Sequence, residues 1–159
     1  MNERRKLINW MAGVTTFIVV LLIVIVLLDR EEDGVSLAAA SRTVALTLES
    51  GDGILENAPE TSNFDEDLSD QWYVKYMDYL YGQGYLDSGS VKADERSATS
   101  AVTYAVLSDW AKKASEEGKG ETDALLSYVD AGERAKKAVS SENFWKFYDA
   151  FRAAVDPDG

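Results

Sequence analysis

An uncharged run of nineteen residues, Trp10 to Leu28 (WMAGVTTFIVVLLIVIVLL), stands directly behind Arg4, Arg5 and Lys6 and constrains this chain more than any other stretch. As a helix it would be about 28 Å long at 1.5 Å per residue, close to the hydrocarbon thickness of a bilayer. Thirteen of the nineteen are Leu, Ile, Val or Phe, each favouring the bilayer centre by roughly 0.3 to 0.6 kcal/mol. The run therefore predicts a transmembrane helix over 10–28, with the lipid bilayer as a partner.

The flanks set an orientation. Arg4, Arg5 and Lys6 face only Glu3 on the amino-terminal side, whereas Asp29, Arg30, Glu31, Glu32 and Asp33 follow the run. The positive-inside bias predicts a single-pass protein of the cell membrane, its amino terminus cytoplasmic and its carboxyl-terminal part extracytoplasmic. A removable signal peptide is the competing reading, since Ala38, Ala39 and Ala40 resemble a cleavage motif. Its apolar core is usually shorter, however, and small residues follow it at once. The expected organisation is a cytoplasmic tip (1–9), a membrane helix (10–28), an acidic linker (29–35), a helical domain (36–155) and a tail (156–159).

Charge narrows the partners. Setting aside residues 1–28 removes three of the 16 basic and one of the 28 acidic residues, which leaves 13 against 27 and a net charge of −14. Such a surface repels nucleic acid. The chain has no cysteine and no histidine, which excludes disulfides, thiolate chemistry and every histidine-based triad.

Helical periodicity dominates the remainder. Ser36 to Glu49 places Leu37, Ala40, Val44 and Leu48 on one stripe, with Ser36 as the cap and Gly51 or Gly53 as the stop. Residues 52–68 read as a loop. A second helix follows Ser69 or Asp70 and runs to Gly82 and Gly84, with Trp72, Tyr73, Tyr76, Met77 and Leu80 on one face. A third spans about Ala98 to Ser115 with Val102, Val106 and Trp110 in register, and Ala124 to Val129 is a short candidate continuing toward Gly132. Ser140 or Ser141 caps a final helix carrying Phe144, Phe147, Tyr148, Phe151 and Val155. An aromatic stripe at this spacing is core packing, so Trp72, Tyr76, Leu80, Val106, Trp110, Phe147 and Phe151 form the expected core.

The segment from Phe64 to Ala114 resembles a single S-layer homology repeat. The likeness rests on Phe64 and Asp65 at the opening, Trp72 heading the first helix, Tyr79 and Leu80 before the glycine turn, Gly84, Tyr85 and Leu86 at its exit, and a long helix starting near Ala98, Thr99 and Ser100. Segments beginning at Ser36–Leu37 and Ser141–Glu142 look like worn copies of that start, the degenerate motif positions being Ser36, Leu37, Thr99, Ser100, Ser141 and Glu142. The resemblance implies an all-α bundle of helix-loop-helix repeats, each burying its apolar face by stacking on the next. Family members that hold anionic wall polymers start this helix with threonine, arginine, a small residue and glutamate. Here no arginine stands in the three starts, and nothing there replaces its bidentate contact.

The layout also resembles the amino-terminal portion of membrane-anchored proteins of the stage II sporulation protein D type, which implies a catalytic region lying beyond Gly159. No catalytic signature stands out in the chain itself, although any two of its many acidic residues could approach in the fold as a glycosidase pair. Asp65, Glu66, Asp67 and Asp70 cluster, but the sixth and twelfth places of a calcium loop would fall on Asp70 and Tyr76 instead of glycine and glutamate. The cluster reads as a cap for the following helix. The glycines match no phosphate loop. The sequence thus predicts a non-enzymatic cell-envelope module of Gram-positive type without metal or cofactor, acting as a scaffold or contacting another envelope protein. The accessory region of a lytic transglycosylase and direct cell-wall polymer binding are its alternatives.

Overall fold

The computed structural model describes residues 2–28, 34–129, 134 and 138–158, with side chains described for 3–20 in the first stretch. The chain divides into two units, Met1–Asp33 and Gly34–Gly159.

In the first unit, Asn2–Leu28 is one helix, α1. Its first described turn holds Glu3, Arg4, Arg5 and Lys6. Among the described residues no helix is long and apolar enough to cross a membrane. This finding corrects the expected transmembrane helix at 10–28 and overturns the single-pass placement that rested on it, with an extracytoplasmic domain behind a cytoplasmic tip. The expected acidic linker falls largely on 29–33, outside the described residues.

The described regular elements of the second unit are helices: α2 (Leu37–Leu48), α3 (Gly51–Glu56), a 3-10 turn (Glu66–Leu68), α4 (Val74–Gln83), α5 (Glu95–Thr99), α6 (Tyr104–Glu116), α7 (Thr122–Leu126) and α8 (Ser141–Val155). Several boundaries differ from the periodicity. Gly51 and Gly53 do not stop α2 but begin α3, which Ser50 caps through the Gly53 amide at 3.1 Å. Neither Ser69 nor Asp70 caps α4, which begins only after Tyr73. Gly84 ends α4 at φ 77°, a left-handed conformation natural to glycine, while the Tyr85 and Leu86 amides both donate back to the Leu80 carbonyl. The continuation toward Gly132 lies outside the described residues.

The largest difference concerns the expected third helix. Residues 100–103 are extended, so Thr99 and Ser100 finish α5 instead of starting α6. The physical reason is backbone pairing between distant segments. Ser36 bridges Ala101 and Thr103 bridges Ala138, both antiparallel. The Leu37 amide donates to the Ser100 carbonyl at 2.8 Å, Val102 to Val35 at 2.8 Å and Val139 to Val102 at 3.0 Å. Three valines therefore meet at one junction, and each directly precedes the cap of a long helix. Ser36 accepts from the Ala39 amide, Thr103 from Val106 and Ser140 from Asn143. A cap of this kind contributes about 1 kcal/mol. The three equivalent starts thus stand at Ser36, Thr103 and Ser140, four residues past Thr99 and one before Ser141.

The helices close around one core. α2 packs on α4, α5 and α8, while α6 packs on α7 and α8. Trp110, Phe144, Phe147, Phe151, Met77, Leu80 and Leu107 are fully buried. Val106 is buried and Tyr76 half-buried. Trp72 is 50% exposed and is a correction to the expected core, since it precedes α4 and so does not share that helix's inward face.

The Ser41 hydroxyl is fully buried on α2 with no hydrogen-bond partner among the described residues. An unmet buried hydroxyl costs about 1 to 3 kcal/mol. Ser41→Ala is therefore expected to raise stability by about 1 kcal/mol, read as a higher denaturant midpoint at unchanged slope.

Candidate functional site

The acidic cluster offers no site. Asp65, Glu66, Asp67 and Asp70 are exposed, and Asp65 makes no side-chain cap. The expected capping of α4 by this cluster is accordingly corrected. Among the described residues no group of three or more histidine, aspartate or glutamate side chains is placed to hold a metal ion.

A second titratable group braces the fold. The Tyr85 phenol donates to Glu117 at 2.9 Å, and Lys119 approaches the same carboxylate at 3.1 Å. Burial chiefly pushes the Tyr85 phenol well above its usual range, reinforced by Glu117. Burial pulls the Glu117 carboxyl up, but hydrogen bonds from Lys119 and Tyr85 and the charges of Lys119 and Lys113 outweigh it and hold the group below its usual value. Tyr85 follows α4 and Glu117 follows α6, so the contact ties two helix ends together.

Of the degenerate motif positions, Ser36, Leu37 and Ser100 come together through the Leu37 amide and the Ser100 carbonyl. Thr99 is exposed at the end of α5, and Ser141 and Glu142 lie in the first turn of α8, where Glu142 pairs with Lys146 at 2.8 Å. A cavity of about 380 Å³ adjoins the junction, lined in part by Leu37, Lys92, Arg96 and Val106.

A groove of about 550 Å³ between α2 and α8 is the better-equipped site. α2 supplies Ala39, Arg42, Thr43, Leu46 and Thr47 to one wall, and Tyr148, Arg152 and Asp156 form the other, with Trp72 joining them. Positions at three- and four-residue spacing share one helix face. That spacing recurs across 39–47 and again across 148–156, which gives each wall a length of about 12 Å. Thr47 Oγ1 and the Tyr148 hydroxyl hydrogen-bond across the groove at 2.8 Å. The Arg42 guanidinium lies over the Tyr76 ring, 5.9 Å from its centroid, which orients a long cationic side chain.

Two features set the groove apart. Among the described residues neither Arg42 nor Arg152 forms an ion pair, although the chain carries 28 acidic residues. The groove also adjoins exposed apolar side chains: Leu46 is 43% exposed, Trp72 50% and Trp145 44%. Trp145 meets the Tyr148 ring edge-on at 5.7 Å, so the aromatic surface continues beyond the groove wall.

The two arginines are 110 positions apart, and no periodicity within either helix signals that they share a groove. Comparison with known proteins finds no matching family model, no matching curated protein and no matching solved structure.

Proposed function

We propose that residues 34–159 form a non-catalytic protein-interaction module that presents the α2/α8 groove to a partner. The observation that carries this reading is the exposure of Leu46, Trp72 and Trp145 around a groove walled by Arg42 and Arg152. Tryptophan, tyrosine and arginine are the residue types that concentrate binding energy at protein interfaces. Large exposed apolar side chains gathered on one face mark contact surfaces, whereas scattered ones need no explanation.

The three valine-led helix starts support reading the scaffold as degenerate S-layer homology-like units. In the register of Ser36, Thr103 and Ser140, the places that an arginine would occupy hold Leu37, Tyr104 and Ser141. None can make a bidentate, charge-assisted contact to an anionic saccharide. The interaction role therefore rests on the groove and not on the motif.

Selection of random linear peptides on the full chain tests the reading. Enriched peptides are expected to lose at least tenfold in affinity for Trp72→Ala, which corresponds to about 1.4 kcal/mol or more. Their affinity for Lys112→Ala, an exposed change on α6 away from the groove, should be unchanged. Enrichment of peptides indifferent to Trp72 would refute the groove as the binding surface.

A further inference from the structure

We infer that the occupant of the α2/α8 groove is an acidic linear peptide segment of a protein partner, whose carboxylates meet Arg42 and Arg152 while a neighbouring apolar side chain packs on Leu46 and Trp72. The inference rests on the interaction reading above and adds the chemistry of the partner.

Shape selects a linear ligand. Each wall runs for about 12 Å, which an extended chain covers with about four residues at roughly 3.3 Å each. Charge selects an acidic one. Arg42 and Arg152 line the groove without a carboxylate partner among the described residues, and Asp156 is the single acid in the lining. The planar guanidinium fork fits a carboxylate in a two-point contact, and its cationic state is constant across ordinary pH. The strongly acidic remainder of the chain acts weakly at this spot, because charges beyond about 8 Å are screened at physiological salt.

Apolar character favours peptide over saccharide. Leu46, Ala39 and the Thr43 and Thr47 methyl groups have nothing to offer a ring of hydroxyls, and the one tyrosine hydroxyl in the lining is already engaged by Thr47. A leucine or phenylalanine side chain instead buries well against Leu46 and the Trp72 ring.

Titration of the isotope-labelled full chain with the blocked peptide acetyl-Gly-Glu-Leu-Phe-Glu-Gly-amide, followed through the Trp72 indole N–H resonance, tests this directly. The indole resonance is assigned by its loss in Trp72→Phe. Saturable shifts are expected, with affinity falling at least tenfold for the isostere in which both Glu are Gln. A comparable fall is expected for Arg42→Gln/Arg152→Gln, whose unchanged thermal midpoint would show that the fold is intact. Equal affinity for the acidic peptide and its Gln isostere would overturn the acidic assignment while leaving a groove that binds peptides. Tighter binding of polygalacturonate than of the peptide at the same resonance would assign the groove to an anionic saccharide and overturn the inference. Absence of any Trp72 shift up to millimolar peptide would also overturn it, and peptide selection would show independently whether the groove binds other sequences.

Discussion

Phe147→Ala is expected to lower the stability of the second unit by about 3 to 5 kcal/mol, the range for emptying a buried aromatic site. Phe147 has no exposed surface, stacks on Phe151 at 5.7 Å between ring centroids and lies 6.5 Å from the Trp110 ring. Its removal opens a void where α8 meets α6, lined by Trp110 and Phe151, which are themselves fully buried. A domain of this size is stable by about 5 to 15 kcal/mol, so the loss is a large fraction of the total. Denaturant titration followed by tryptophan fluorescence is the measurement, with the midpoint falling sharply. Trp72→Ala supplies the contrast, because a half-exposed ring should cost about 1 kcal/mol or less. Equal losses for the two variants would show that Phe147 does not hold the core.

That contrast separates what local pattern reveals from what only the fold decides. The stripe of Phe144, Phe147 and Phe151 follows directly from helical spacing, and all three are fully buried. Ser36 and Gly84 are equally readable, since a capping hydroxyl and a left-handed terminator act within one turn of their own residue. Residues 98–106 are not readable in this way. Ala98, Val102 and Val106 keep helical spacing and all are buried, yet Val102 is extended because its amide and carbonyl bond to Val35 and Val139. Partners 67 and 37 positions away override a local preference worth only tenths of a kcal/mol per residue. A signal was nevertheless present in the dipeptides Val35–Ser36, Val102–Thr103 and Val139–Ser140, a branched residue before a capping hydroxyl at each start. The groove left no such trace, because the order of residues along α2 carries no information about which side of α8 it will face.

Asp78→Ala is expected to destabilise the second unit by about 2 to 4 kcal/mol, from the loss of several charge-assisted hydrogen bonds. Asp78 is 5% exposed on α4, and its carboxylate accepts from the Ser62 hydroxyl, the Asn63 amide at 2.9 Å and the Asn63 side-chain nitrogen at 3.1 Å. These bonds fasten the segment before the 3-10 turn onto α4 and place Phe64 against Tyr73 and Tyr81, with ring centroids 5.8 and 6.5 Å apart. Alanine would remove the one acceptor shared by the Ser62 hydroxyl and both Asn63 donors, and it would leave a void where the carboxylate was buried. Asp78→Asn keeps the volume and one acceptor oxygen but turns an amide group toward donors, and it should fall between the wild-type chain and Asp78→Ala. Hydrogen exchange distinguishes the mechanism: the Asn63 and Phe64 amides are expected to lose protection by more than the global destabilisation accounts for, because the loop detaches before the helices separate. Uniform loss across α4 and α8 would show instead that Asp78 supports the core as a whole and not this one attachment.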